Sequence, residues 1–118
     1  MQLSKNFKSS EFQCSHCKKC NMDEEFISKL QELRTLCNFP FKINSGWRCD
    51  EHNKKVSKNS RGDHVLGTAC DVHCTDRYKR FSLLQHASGM GYFKDIAISK
   101  TFIHLGKGNV KNGVGVYG

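Results

Sequence analysis

Three side chains of this 118-residue chain are of the types that share a divalent cation: His64, Asp71 and His104. An imidazole and a carboxylate seven positions apart, with Gly67 and Ala69 between them, offer two ligands and let backbone pass close to the ion they hold. Both suit a borderline cation such as zinc. Residues 67–74 alternate as a strand does, so Asp71 and His73 fall on one face and Cys70, Val72 and Cys74 on the other. A catalytic zinc commonly takes three protein ligands and keeps a fourth position for water. His104 is the third candidate. It is the single imidazole of the apolar run Phe102-Ile-His-Leu105, which reads as a buried strand whose lone polar group needs a partner. An ion held by such a set acidifies water enough for attack on an amide carbonyl near neutral pH.

His64, Gly67, Ala69 and Asp71 spell His-x-x-Gly-x-Ala-x-Asp, with Phe102-Ile-His-Leu105 downstream. Upstream, Asn44-Ser-Gly-Trp-Arg-Cys-Asp-Glu-His-Asn53 carries Ser-Gly-aromatic-Arg and a following His-Asn. In this order the motifs resemble the zinc D-alanyl-D-alanine carboxypeptidase family, over residues 5–118. That family includes cell-wall carboxypeptidases, vancomycin-resistance dipeptidases and phage endolysins. The resemblance implies a hedgehog/DD-peptidase-like fold, a zinc on His64, Asp71 and His104, and hydrolysis of peptidoglycan stem peptides. For Arg48 it implies binding of substrate or steadying of the oxyanion, and a guanidinium at a strand end can do either.

Two features depart from the family pattern. Gly62 stands where a serine commonly precedes the first histidine, and Ser60 lies two residues further back. Relatives place Glu or Asp three residues before the last histidine, or Asp two after it; here Thr101 and Gly106 occupy those places. The general base must come from elsewhere. His73 is preferred, because it shares the strand face of Asp71 and imidazole titrates near neutral pH; Asp63, Glu51, His52 and Asp95 are the alternatives.

A second candidate metal site is Cys14-Ser-His-Cys-Lys-Lys-Cys20, whose two-residue gaps suit a tight knuckle around one tetrahedral ion. Its fourth ligand would be His16, or Cys49 or Cys37 brought in by folding, and the set Cys14, Cys17, Cys20 and Cys49 is the expected one. The chain has seven cysteines, an odd number. With no apolar leader in its first residues, synthesis in the cytoplasm is expected, where metal ligation or free thiols are favoured over a disulfide framework.

The length fits one domain, residues 1–118, and the composition is that of a globular protein without low-complexity tracts. No stretch is apolar enough over the length needed to cross a bilayer. The net charge of +8 favours an anionic partner. Cell wall is preferred to nucleic acid, since the lysines are spread along the chain without a concentrated arm. A monomer carried to the bacterial wall as a phage-type lysis protein is expected.

The elements that must position these groups are α+β: a small antiparallel sheet flanked by two main helices. Residues 1–13 read as an arm docking Phe7 and Phe12. Asp23 opens a helix to Cys37 with Phe26, Ile27, Leu30, Leu33 and Leu36 inside. A strand at 41–45 delivers Gly46, Trp47 and Arg48 to a turn, a short helix follows from Asp50 to Val56, and a polar loop leads to His64. Asp76 caps a helix through about Ser88, with Tyr78, Phe81, Leu83 and Leu84 inward and Gly89 and Gly91 stopping it. Strands at 92–99, 101–105 and around Val114, Val116 and Tyr117 close the sheet.

Overall fold

A computed structural model describes residues 1–56, 63–108 and 113–116. Asp23 accepts a hydrogen bond from the Phe26 N–H at 2.9 Å and starts α1, Glu24–Cys37, which ends at Asn38 in the left-handed conformation. Strand β1, Lys42–Ser45, leads to α2, Asp50–Val56, and α3, Asp63–Leu66, carries His64. Then come β2, Ala69–His73; α4, Arg77–Met90; β3, Asp95–Ile98; β4, Phe102–Gly106; and β5, Gly113–Val116. Residues 57–62 of the expected polar loop and Tyr117 lie outside the described residues.

The fold is α+β, as expected, with one change to the sheet. The five strands run in the order β1-β2-β4-β3-β5, and all neighbours are antiparallel except β5, which pairs parallel to β3. The sheet is therefore mixed at one edge.

Side-chain alternation gives the sheet two unlike faces. Cys70, Val72, Ile96, Ile103 and Leu105 are buried on one face and share a core with Phe26, Leu30 and Leu33 of α1 and Leu83 and Ala87 of α4. Each such side chain contributes about 1.5–3 kcal/mol on full burial. Phe7 and Phe12 of the N-terminal arm complete this core, their rings edge-on with centroids 5.6 Å apart. The other face carries Asp71 and His104, directly opposite one another across β2 and β4.

Helix α4 starts where expected: Asp76 accepts from the N–H groups of Tyr78 and Lys79 at 3.1 and 3.0 Å. Its inner face is corrected. Tyr78 and Phe81 are 76% and 67% exposed, whereas Leu83 and Ala87 are buried. A helix advances about 100° per residue, which puts Phe81 and Tyr78 roughly opposite Leu83. Gly89 lies inside the helix, and Gly91 alone ends it, at φ 73°. Leu36 is exposed at the last turn of α1, beyond the reach of the core.

Candidate metal centre

Strand register sets the first two ligands: Asp71 on β2 pairs with His104 on β4, and both are buried. Their side chains meet with His104 Nδ1 2.9 Å from Asp71 Oδ1. His64 reaches the same oxygen from α3, its Nε2 3.5 Å away. One ligand atom from each residue lies within 4.8 Å of the other two. Zinc bonds of about 2.0–2.2 Å in a tetrahedron place ligand atoms roughly 3.3–3.6 Å apart, so the observed spacing needs little closing or opening to hold the ion. The donor set of two imidazoles and a carboxylate suits zinc.

The tautomers follow from the second contact of each ring. His64 Nδ1 lies 2.7 Å from the Gly46 carbonyl. A carbonyl only accepts, so Nδ1 carries the proton and Nε2 turns its lone pair toward Asp71. His104 has Asp71 at Nδ1 and, 3.5 Å from Nε2, a carboxylate oxygen of Asp95. With the proton on Nε2, facing Asp95, Nδ1 is the metal-facing atom.

The segment after β1 holds this arrangement in place. Besides the Gly46 carbonyl, the Trp47 indole N–H donates to the Val65 carbonyl at 2.8 Å, and the Arg48 N–H donates to the His64 carbonyl at 3.2 Å. Three consecutive residues thus grip the short helix that carries His64. Gly46 must be glycine, because a Cβ there would stand 2.6 Å from the Phe12 Cα. The Arg48 guanidinium turns to the other oxygen of Asp71, with Nη2 3.7 Å from Oδ2, leaving Oδ1 to the histidines. Burial alone would raise the Asp71 carboxyl, but the His104 and His64 ring nitrogens, 2.9 and 3.5 Å from its Oδ1, hold it well below the usual carboxylate range. It is an anion at neutral pH and can serve as a ligand.

Gly67 joins α3 to β2 at φ 76°, and a side chain there would collide with the Asn21 carbonyl. Its own carbonyl accepts the Asp23 N–H at 2.9 Å, tying His64 to the start of α1. Gly67→Ala combines backbone strain with a clash and is expected to cost about 2–4 kcal/mol; a denaturant midpoint unchanged from the parent would contradict this.

The structure therefore unites His64, Asp71, His104 and Arg48. His73 is exposed at the end of β2 and is not in the cation-binding group. Glu51 and His52 lie on α2 beside the N-terminal knuckle, where Glu51 approaches His16. Asp63 opens α3, with its side chain outside the described residues. Asp95 is the carboxylate brought beside His104. Its only sequence signal is its position on a strand of the same sheet, since its approach is diagonal across the β3–β4 register, in which Ala97 faces His104 and Asp95 faces Gly106.

The second candidate group unites Cys14, Cys17 and Cys49, and Cys20 is outside it, packed against the core.

The sequence pattern of the peptidase M15 family matches residues 5–106. The chain belongs to the peptidase M15 family. No curated protein matches it. M15 peptidases are zinc-dependent, and His64, Asp71 and His104 are a donor set that fits such an ion. The M15 match also spans the Ser-Gly-Trp-Arg segment that grips α3. No helix among the described residues is long and apolar enough to cross a membrane.

Proposed function

We propose that this protein is a zinc metallopeptidase that hydrolyses peptide bonds in peptidoglycan stem peptides, either as a D-alanyl-D-alanine carboxypeptidase or as an endolysin-type endopeptidase, acting at the bacterial cell wall. The observation that carries this reading is the convergence of His64, Asp71 and His104 with Arg48 on the polar face of the sheet. When bound, zinc supplies a Lewis acid that polarises a carbonyl and acidifies water.

The residues do the rest. Arg48 is anchored through its backbone to His64 and presents a largely buried guanidinium at the edge of the triad. Its donors can hold a substrate carboxylate or the oxygen on which negative charge develops, and in a site shielded from water such a contact is strong. Asp95 lies 3.5 Å from His104 Nε2, where a proton on that nitrogen would leave Nδ1 aimed at the ligand position. Its side chain is 45% exposed, so this base candidate also faces solvent. The neighbours of His104 and Asp95 along these rows are small: Ala97 and Gly115 in one, Ala69, Gly106 and Gly113 in the other. This suits a peptide main chain with small side chains. The net charge of +8 suits an anionic wall.

Asp95→Asn is expected to lower kcat about 10–100-fold with KM little changed, the range for a partner that orients a metal-ligating histidine. His73→Ala is expected to leave both parameters nearly unchanged, as an exposed strand-end substitution. Steady-state kinetics on one stem peptide compares them, and the reverse ranking would return the base to His73.

The function itself is tested by incubating the protein with purified muropeptides and reading the products by mass. Loss of a terminal D-alanine identifies the carboxypeptidase, and conversion of cross-linked dimers to monomers identifies the endopeptidase. Thr101 and Gly106, standing where relatives carry an acid, favour a second reading: a module that holds zinc and binds wall without cutting it. Sedimentation with intact wall and no product from either substrate would select that reading.

A further inference from the structure

We propose that Cys14, Cys17, Cys49 and His16 form a second, closed zinc site of Cys3His type that pins the N-terminal knuckle to the start of α2. The inference stands on residues separate from the triad and holds whether or not the triad is catalytic.

Two of the spacings are those of a tetrahedron around zinc, and the His16 ring must close further on the remaining sulfurs to complete it. Zinc–sulfur bonds of about 2.3 Å and zinc–nitrogen bonds of about 2.0–2.1 Å give edges of roughly 3.8 Å between sulfurs and roughly 3.6 Å between sulfur and nitrogen. Cys14 and Cys49 have their sulfurs 3.7 Å apart, and His16 Nδ1 lies 3.5 Å from the Cys49 sulfur. Cys17 joins the same group, with its sulfur within 4.8 Å of both other sulfurs. All three cysteines are free thiols.

Local backbone builds the knuckle. The Cys14 N–H donates to the Lys19 carbonyl at 2.7 Å, and the Lys18 N–H donates to the Cys14 carbonyl at 2.8 Å. Lys18 takes the left-handed conformation, φ 63°, to close this turn. The chain then carries Cys20 away to the core, so the third thiolate comes from Cys49, 35 residues on. The two segments are already stitched together next to the site: the Trp47 N–H donates to the Phe12 carbonyl at 2.8 Å, and Gly46 lies flat against Phe12.

The surroundings also fit thiolates and a ligating imidazole. The His52 N–H donates to the Cys49 sulfur at 3.4 Å. Backbone N–H groups of Cys49, Cys17 and His16 are also directed at the Cys14 sulfur, as suits a thiolate. On the far side of the imidazole, His16 Nε2 lies 3.8 Å from Glu51 Oε2, the carboxylate–histidine–metal arrangement that fixes a ligand's tautomer. Both groups are well exposed there, so this contact orients the ring and adds little stability.

A closed set of four protein ligands leaves no position for water, so the site is structural. Cys49 directly follows Arg48, and the ion would thereby fix the entry of α2 next to the guanidinium that faces Asp71.

The test is metal and thiol analysis of the purified full chain. Two zinc ions per chain are expected, falling to one in Cys17→Ser and in Cys49→Ser, and remaining two in Cys20→Ser. His64→Ala loses the other ion, which separates this site from the triad. Cobalt substitution of the parent should give thiolate-to-cobalt charge-transfer bands and tetrahedral d–d bands, and His16→Ala should shift the d–d bands. Because a cysteine variant can fail to fold, the unaltered protein supplies its own control: three thiols should resist a thiol reagent until a chelator releases one zinc. Loss of an ion in Cys20→Ser, two ions retained in Cys17→Ser, or thiols recovered by reductant but not by chelator would overturn the site.

Discussion

His64→Ala is expected to leave the triad without its metal and to lower kcat/KM on a stem peptide by about a thousand-fold or more. The reasoning rests on geometry and on magnitude. Among the described residues His64 Nε2 is one of three donors, and its ring is already locked by the Gly46 carbonyl with its lone pair toward Asp71. Removing it leaves two ligands on β2 and β4, too few for a catalytic zinc. Lewis-acid stabilisation is worth several kcal/mol, and each 1.36 kcal/mol of barrier is tenfold in rate. The fold should survive. His64 contributes no large apolar side chain to the core, and Trp47, Arg48 and Gly67 grip α3 through backbone carbonyls that alanine retains. Metal content and kinetics measured on one preparation check this, with far-UV circular dichroism as the control for folding. Full activity in a variant that had lost its ion would refute the assignment.

Arg48→Ala carries the second largest expected effect, a fall of about 10²–10³-fold in kcat, with the metal at the triad retained. Arg48 faces Asp71 Oδ2 and leaves Oδ1 to the histidines, so its loss removes no ligand. It removes the cation available to a developing oxyanion or a terminal carboxylate. Lysine is not expected to rescue the loss, since an ammonium cannot reproduce the fixed fork of a guanidinium. The split between parameters identifies the role: a fall in kcat marks oxyanion stabilisation, whereas a rise in KM confined to substrates with a free carboxylate marks terminal recognition. Loss of zinc in Arg48→Ala would instead make the residue a support for Asp71.

Much of this candidate site was legible before any fold was known, because the residues that converge there sit in short motifs whose spacing survives folding. His64 and Asp71 lie in one stretch, and the strand period put Asp71 on a polar face. His104 stood out as the lone imidazole of an apolar strand. The cap Asp76 was readable for the same reason, since a cap acts within three residues.

What escaped depends on contacts between segments. Asp95 meets His104 through the β3–β4 register, which single-strand periodicity does not determine. The knuckle spacing nominated Cys20, but the turn closed by Lys18 and Lys19 sends it to the core and leaves the place to a thiol beyond β1. His73 shares a strand face with Asp71, yet it stands where β2 emerges into solvent. Tyr78 and Phe81 illustrate the limit of helical pattern: aromatic residues near the start of α4 suggested a core face, while the core takes Leu83 and Ala87 with Leu84 and Met90 at its edge. The parallel placement of β5 was not legible, because its glycine-rich sequence carries no pattern that encodes strand direction.

The most direct test of the central claim is zinc-dependent cleavage by the unaltered protein. The chain is stripped by a chelator, reloaded with measured equivalents of zinc and incubated with a stem peptide, and the products are read by mass. Activity absent in the stripped protein, restored by zinc, and not restored in His64→Ala is the expected result. Cleavage that persists without metal, or a reloaded protein with zinc at the triad that never cuts a stem peptide or a cross-linked dimer, would contradict it.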